Sequence, residues 1–137
     1  MYRVTIIKDR PDFRVFIDLL FGAHRNVDTD GDSNPVNSRT WSYLYITDRE
    51  GDAPFVKITG YDLNPDIFEV ESASIELEEL TALYLFMYCG LTIEAADEPL
   101  AELKLESLKQ KYTVQLQRAE ASIWHRSTNE KPYPNLA

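Results

Sequence analysis

Trp41-Ser42-Tyr43-Leu44-Tyr45-Ile46, followed at a short distance by Phe55-Val56-Lys57-Ile58-Thr59-Gly60, decides the fold class of this chain. Both runs are rich in aromatic and β-branched residues, the signature of strands. Between them, Asp48-Arg49-Glu50-Gly51-Asp52 is turn chemistry, so residues 40–60 read as a β-hairpin. Trp41, Tyr43 and Tyr45 share one parity, and Leu44 and Ile46 share the other. Apolar groups on both parities predict a strand covered on both faces.

Towards the N-terminus, residues 22–39 hold Gly, Asn, Asp, Ser and Pro and almost no large apolar group, which predicts a long loop. Phe13, Phe16, Ile17, Leu20 and Phe21 recur at helical spacing, so a helix opens near Asp9 and Pro11 and ends at Gly22. Val4, Ile6 and Ile7 predict a strand over residues 2–8. Towards the C-terminus, Gly60 to Pro65 is a connection, and residues 67–73 form another strand with Phe68 and Val70 inward. Leu77, Leu80, Leu83, Tyr84 and Met87 predict a helix over residues 76–89, with Gly90 as its C′ residue. The stripe Leu105, Leu108, Tyr112, Leu116, Ala119 and Ile123 predicts one long helix from Asp97-Glu98-Pro99 to Trp124.

These elements give an α+β class, with a small antiparallel sheet of three to four strands against about three helices, the C-terminal one long. A single domain is expected over residues 1–126, followed by an extended or flexible tail over residues 127–137. At 137 residues and 44% hydrophobic, the chain can bury a core without disulfides or metal. Its one cysteine, Cys89, lies in the apolar run Tyr84 to Cys89 and reads as a buried thiol. The first residues carry no stretch of signal-peptide length, and no apolar run reaches membrane-spanning length. A cytoplasmic location is the expectation.

Negative charge is unevenly placed. The chain has a formal charge of −9. Residues 58–103 contain no Lys or Arg. Within that span lie Asp62, Asp66, Glu69, Glu71, Glu76, Glu78, Glu79, Glu94, Asp97, Glu98 and Glu102, with Glu106 just beyond. Acidic groups favour the first turn of a helix, which accounts for Glu76, Glu78, Glu79, Asp97 and Glu98. Solubility favours them too, but a surface shaped by solubility intersperses both signs. Glu98, Glu102 and Glu106 fall at i, i+4 and i+8, about 6 Å apart on a helix, which would resemble a row of phosphates.

Other chemistry is poorly served. Asp28-Thr29-Asp30-Gly31-Asp32 begins like a calcium loop, but Ser33 and Arg39 stand where the glycine and the closing Glu belong. His24 and His125 have no partner at metal-ligand spacing. No phosphate-cradling, serine-hydrolase or zinc-protease motif is present. The sequence therefore implies no cofactor, no metal, no direct nucleic-acid binding and no membrane association.

The expectation is a small acidic, non-enzymatic interaction protein, sharpest as an inhibitor presenting an anionic, nucleic-acid-mimicking surface to a basic nucleic-acid-binding partner. Phage-encoded DNA mimics and nuclease immunity proteins share that logic, by class analogy of size and charge. The expected contact residues are Glu69, Glu71, Glu76, Glu78, Glu79, Glu94, Asp97, Glu98, Glu102 and Glu106, sharing one negative region. The alternative is an accessory or assembly protein that binds through an aromatic-apolar surface. A homodimer contact through Leu85, Phe86 and Tyr88 is the lesser expectation.

Overall fold

Seven strands join in a single sheet, and those at Tyr2–Ile6, Tyr43–Asp48, Val56–Gly60 and Ile67–Ser72 form where buried residues alternate with more exposed ones. The computed structural model describes residues 1–22, 27–33, 38–48 and 54–126. Along the chain run β1 (Tyr2–Ile6), α1 (Val15–Leu20), β2 (Val27–Gly31), β3 (Tyr43–Asp48), β4 (Val56–Gly60) and β5 (Ile67–Ser72). Then come α2 (Ile75–Cys89), β6 (Gly90–Ala95), β7 (Glu98–Pro99), α3 (Glu102–Lys111), α4 (Thr113–Ala121) and a final 3-10 turn, Ile123–Arg126. The sheet order is β2-β3-β4-β5-β1-β6-β7, antiparallel throughout. The α+β class holds, but the sheet has seven strands rather than three to four.

β2 to β5 form a meander, and β1 inserts between β5 and β6. β5 and β6 are both antiparallel to β1, so they run the same way and need a crossover, which α2 supplies. Ser74 caps α2, its hydroxyl accepting the Leu77 N–H at 3.2 Å. At the other end Gly90 is extended, at φ −86° and ψ 146°, not left-handed as a C′ glycine would be. Its role is close approach. A Cβ there would lie 2.6 Å from Phe86 Cα, so only glycine lets the chain turn from helix straight into strand.

Helices cover one face of the sheet. Val4, Leu44, Ile46, Val56, Ile58, Phe68, Val70 and Ile93 point into that layer and are buried. Phe16, Trp41, Phe68 and Tyr84 form a connected series of edge-to-face rings, 5.6–6.3 Å between centroids. Trp41 Nε1 donates to the Pro11 carbonyl at 2.9 Å, which anchors the entry to α1. α1 is shorter than its periodicity suggests. Residues 12–14 form turns ahead of it, and Asp12 and Arg14 pair bidentately at 2.9 and 2.6 Å in a buried position. Arg118 of α4 donates to the Asp18 and Leu19 carbonyls, satisfying the C-terminal groups of α1 from a neighbouring helix.

Three expectations change here. Tyr43 and Tyr45 lie on the face that no helix covers among the described residues, so β3 is covered on one side only. Residues 27–31, expected as loop, form β2, an edge strand whose polar pattern hides its pairing. The long C-terminal helix is preceded by a β-hairpin and is broken at Tyr112, at φ −108° and ψ 23°. Next to the break, the Thr113 hydroxyl donates to the Lys109 and Gln110 carbonyls, a back-bonding pattern that bends helices.

The second half of α2, Leu83 to Cys89, is apolar all round, and the helix packs against the sheet, α1 and α3. Leu85 is fully buried, which removes it from any homodimer contact. No helix among the described residues is long and apolar enough to cross a membrane. The expected tail 127–137, His24 and most of the turn between β3 and β4 lie outside the described residues.

Candidate functional site

Alternation along each strand sends a second set of side chains to the uncovered face, and the pairing register aligns them in rows. Tyr43, Thr59, Glu69, Arg3 and Glu94 are successive neighbours across β3, β4, β5, β1 and β6. A second row runs Asp30, Tyr45, Lys57 and Glu71 across β2 to β5. Asp28 shares the parity of Asp30 and lies opposite Thr47.

Contacts between rows make this a continuous surface. Phe55 stacks on Tyr45 with ring centroids 5.1 Å apart. The Tyr61 hydroxyl donates to Glu69, and the Arg3 guanidinium lies 5.8 Å from the Tyr61 ring. That hydrogen bond, with the adjacent carboxylate charge, raises the Tyr61 pKa, so the phenol stays a donor. Arg3 reaches Glu69 at 3.6 Å and Asp97 at 2.5 Å, and Lys57 reaches Glu71 at 3.6 Å. Among the described residues the face holds six carboxylates, Asp28, Asp30, Glu69, Glu71, Glu94 and Asp97, against two cations, Arg3 and Lys57. Tyr43, Tyr45, Phe55 and Tyr61 add aromatic area.

The expected acidic residues divide into three groups. Glu69, Glu71, Glu94 and Asp97 belong to the open face. Glu76, Glu78 and Glu79 start α2, where Glu76 is exposed and Glu78 binds the Met1 ammonium at 2.9 Å. Glu79 is buried, accepting from the Tyr112 hydroxyl at 2.8 Å and Lys111 Nζ at 3.3 Å. It ties α2 to the break between α3 and α4 and presents no charge to solvent, so its assignment to a contact surface is corrected. Burial, then the Glu79 and Glu78 carboxylates, push the neighbouring Tyr2 up to about 12.

Glu98, Glu102 and Glu106 form the third group, and they are not a helical row. Glu98 sits in β7 opposite Ala95, which in turn faces the buried Tyr2, so its parity is that of the helix-covered side. Helix geometry begins only at Glu102, and Glu106 meets Lys109 at 3.4 Å. Pro99 explains the difference, since a residue without N–H suits an edge strand. The single negative region expected from the sequence is therefore split between two sides of the sheet.

Asp28, Asp30 and Asp32 do not converge either. Burial works to raise the Asp32 carboxyl, but the Ser42 hydroxyl and the Ser42 and Tyr43 amides donate to it and hold it below its ordinary value. No group of three or more His, Cys, Asp or Glu side chains among the described residues is placed to hold a metal ion. Cys89 is buried, its thiol donating to the Leu85 carbonyl, and burial pushes it up to about 11.

Arg3, Lys57 and the aromatic group of the open face were not among the sequence-derived site residues. Their signal was present in strand parity. Arg3 alternates with Val4, and Glu69 and Glu71 alternate with Phe68 and Val70. Comparisons of this chain with protein-family models, with curated proteins and with solved structures find no match.

Proposed function

We propose that this chain is a small, non-enzymatic interaction protein that binds a basic partner, a nucleic-acid-binding protein or enzyme, through the open face of its sheet. The observation that carries this reading is the excess of six carboxylates over two cations on a face that also displays four aromatic rings. Aromatic side chains supply rigid contact area, and an acidic field speeds and orients encounter with a basic surface. Glu69 and Glu71 are two residues apart on one strand, so their Cα atoms are about 7 Å apart. That is comparable to the several-ångström spacing of backbone phosphates and supports occupation of a nucleic-acid site. The resulting activity is inhibition by steric occupation, with fast and salt-sensitive association.

The test uses immobilised full chain and a cell lysate, with elution by a salt gradient and by duplex DNA. Two charge-reversed triple variants are compared: Glu69→Lys, Glu71→Lys, Glu94→Lys, and Glu98→Lys, Glu102→Lys, Glu106→Lys. Circular dichroism checks that both fold. The first variant is expected to lose a DNA-competed basic protein with at least about tenfold weaker retention, and the second to change it about twofold or less. Equal retention by the first variant and the wild type defeats the reading.

A further inference from the structure

On the opposite side of the molecule, α2, α4 and the final 3-10 turn enclose a groove of about 360 Å³. Sites for small molecules typically run from about 300 to 1,000 Å³ and combine apolar walls with a few placed polar groups. Tyr84, Tyr88, Met87 and Leu116 provide the walls, and Lys8, Glu120 and His125 the polar groups.

The ring of Tyr88 is the centre of the groove. Lys8 Nζ lies 5.4 Å from its centroid, and the His125 ring packs edge-on at 5.7 Å. Arg39 holds the ring in place, donating to the Tyr88 hydroxyl at 2.7 Å. The Tyr84 hydroxyl is 2.9 Å from His125 Nδ1. With the Tyr84 phenol donating to Nδ1, its hydrogen-bond partner among the described residues, the proton of a neutral His125 sits on Nε2. Burial disfavours the imidazolium, in keeping with one neutral, oriented tautomer. Neither the Lys8 ammonium nor His125 Nε2 has a hydrogen-bond or ion-pair partner among the described residues. Lys8, His125 and Glu120 therefore line a groove whose other walls are aromatic and aliphatic.

We propose that this groove binds a small aromatic carboxylate that carries a second, donating group. The carboxylate meets Lys8 and His125 Nε2–H, the ring packs on Tyr88 between Met87 and Leu116, and a hydroxyl or ammonium of the ligand donates to Glu120. A charge-assisted contact of this kind is the strong sort of hydrogen bond, and the aromatic wall supplies apolar burial.

Titration of the full chain with 4-hydroxybenzoate, followed by NMR of the His125 and Tyr88 ring signals, tests this directly. Benzylamine, with a similar ring and the opposite charge, is the control. Saturable shifts at low-millimolar or tighter dissociation constant are expected for 4-hydroxybenzoate and none for benzylamine, the affinity scale following from the size of the ligand. Lys8→Met, at an exposed position that spares the fold, is expected to weaken binding by about tenfold. Absence of saturable shifts at both rings, equal binding of benzylamine, or undiminished binding by Lys8→Met each overturns the proposal. The lysate experiment on the open face is independent of all three outcomes.

Discussion

The helix-covered and open faces of the sheet are built by alternate residues of the same strands, yet they treat polar groups in opposite ways. On the covered side buried polar groups such as Trp41 and Glu79 have fixed partners, although the Thr81 hydroxyl finds none among the described residues. Trp41 Nε1 has the Pro11 carbonyl, and Glu79 has Tyr112 and Lys111. On the open side Glu69 and Glu71 pair with Arg3 and Lys57 at 3.6 Å and Asp97 pairs closely with Arg3, all at partly exposed positions, and Glu94 has no ion-pair partner among the described residues. The same carboxylate is thus a structural tie at Glu79 and a surface charge at Glu69. Segment charge cannot separate the two, whereas parity and packing can.

The largest expected difference between the faces is in packing. Trp41→Ala should cost about 3–5 kcal/mol, since it removes a fully buried ring and leaves the Pro11 carbonyl unpaired. Tyr43→Ala, half-exposed on the other face, should cost about 1 kcal/mol or less. Urea unfolding of both variants checks this, and equal midpoints would show that the open face is covered.

Glu79 offers a second contrast. Glu79→Ala should destabilise by about 2–3 kcal/mol because it strands the buried Tyr112 hydroxyl, while Glu71→Ala should change stability by about 0.5 kcal/mol or less. The same cluster sets an alkaline limit. The fold raises Tyr2 from 10.0 to about 12, favouring its neutral form. That contribution is complete below pH 10.0 and is lost as pH rises towards about 12. Glu79→Gln removes one of the charges responsible, so the Tyr2 titration, followed by phenolate absorbance, should move down towards its ordinary value.

The smallest effect is at the β6–β7 turn, which links the two faces. Ala96 and Asp97 take φ of 52° and 65°, the left-handed pair that a two-residue hairpin requires. Alanine is strained there, so Ala96→Gly should raise stability by about 1 kcal/mol, read as a higher midpoint in thermal unfolding. A lowered midpoint would mean that another contact fixes the turn.

Strong periodicity was legible wherever one element met one environment. Phe68 and Val70 alternate with Glu69 and Glu71, and the strand appears at Ile67–Ser72 with both apolar side chains buried. The leucine spacing from Leu77 to Met87 marks α2 within a residue of its ends. β2 and β6 were not legible. Val27-Asp28-Thr29-Asp30-Gly31 lies at a sheet edge and needs little apolar content, and Gly90 leads directly from helix to strand with no turn residues to mark the change. The carboxylate row at Glu98, Glu102 and Glu106 failed because helical spacing was read across Pro99, where the chain is still extended.

By itself the sequence determined the α+β class, the inward pair Phe68 and Val70 of β5, the burial of Cys89 and the concentration of negative charge between residues 58 and 103. Those properties depend on local periodicity and composition. Only the tertiary structure decided which carboxylates share a surface. Strand order and register join Asp28, Asp30, Glu69, Glu71 and Glu94 across a sheet, and packing withdraws Glu79 into the interior. The physical reason is that a side chain's face is fixed by its own strand's alternation, but its neighbours are fixed by pairings between segments far apart in the chain.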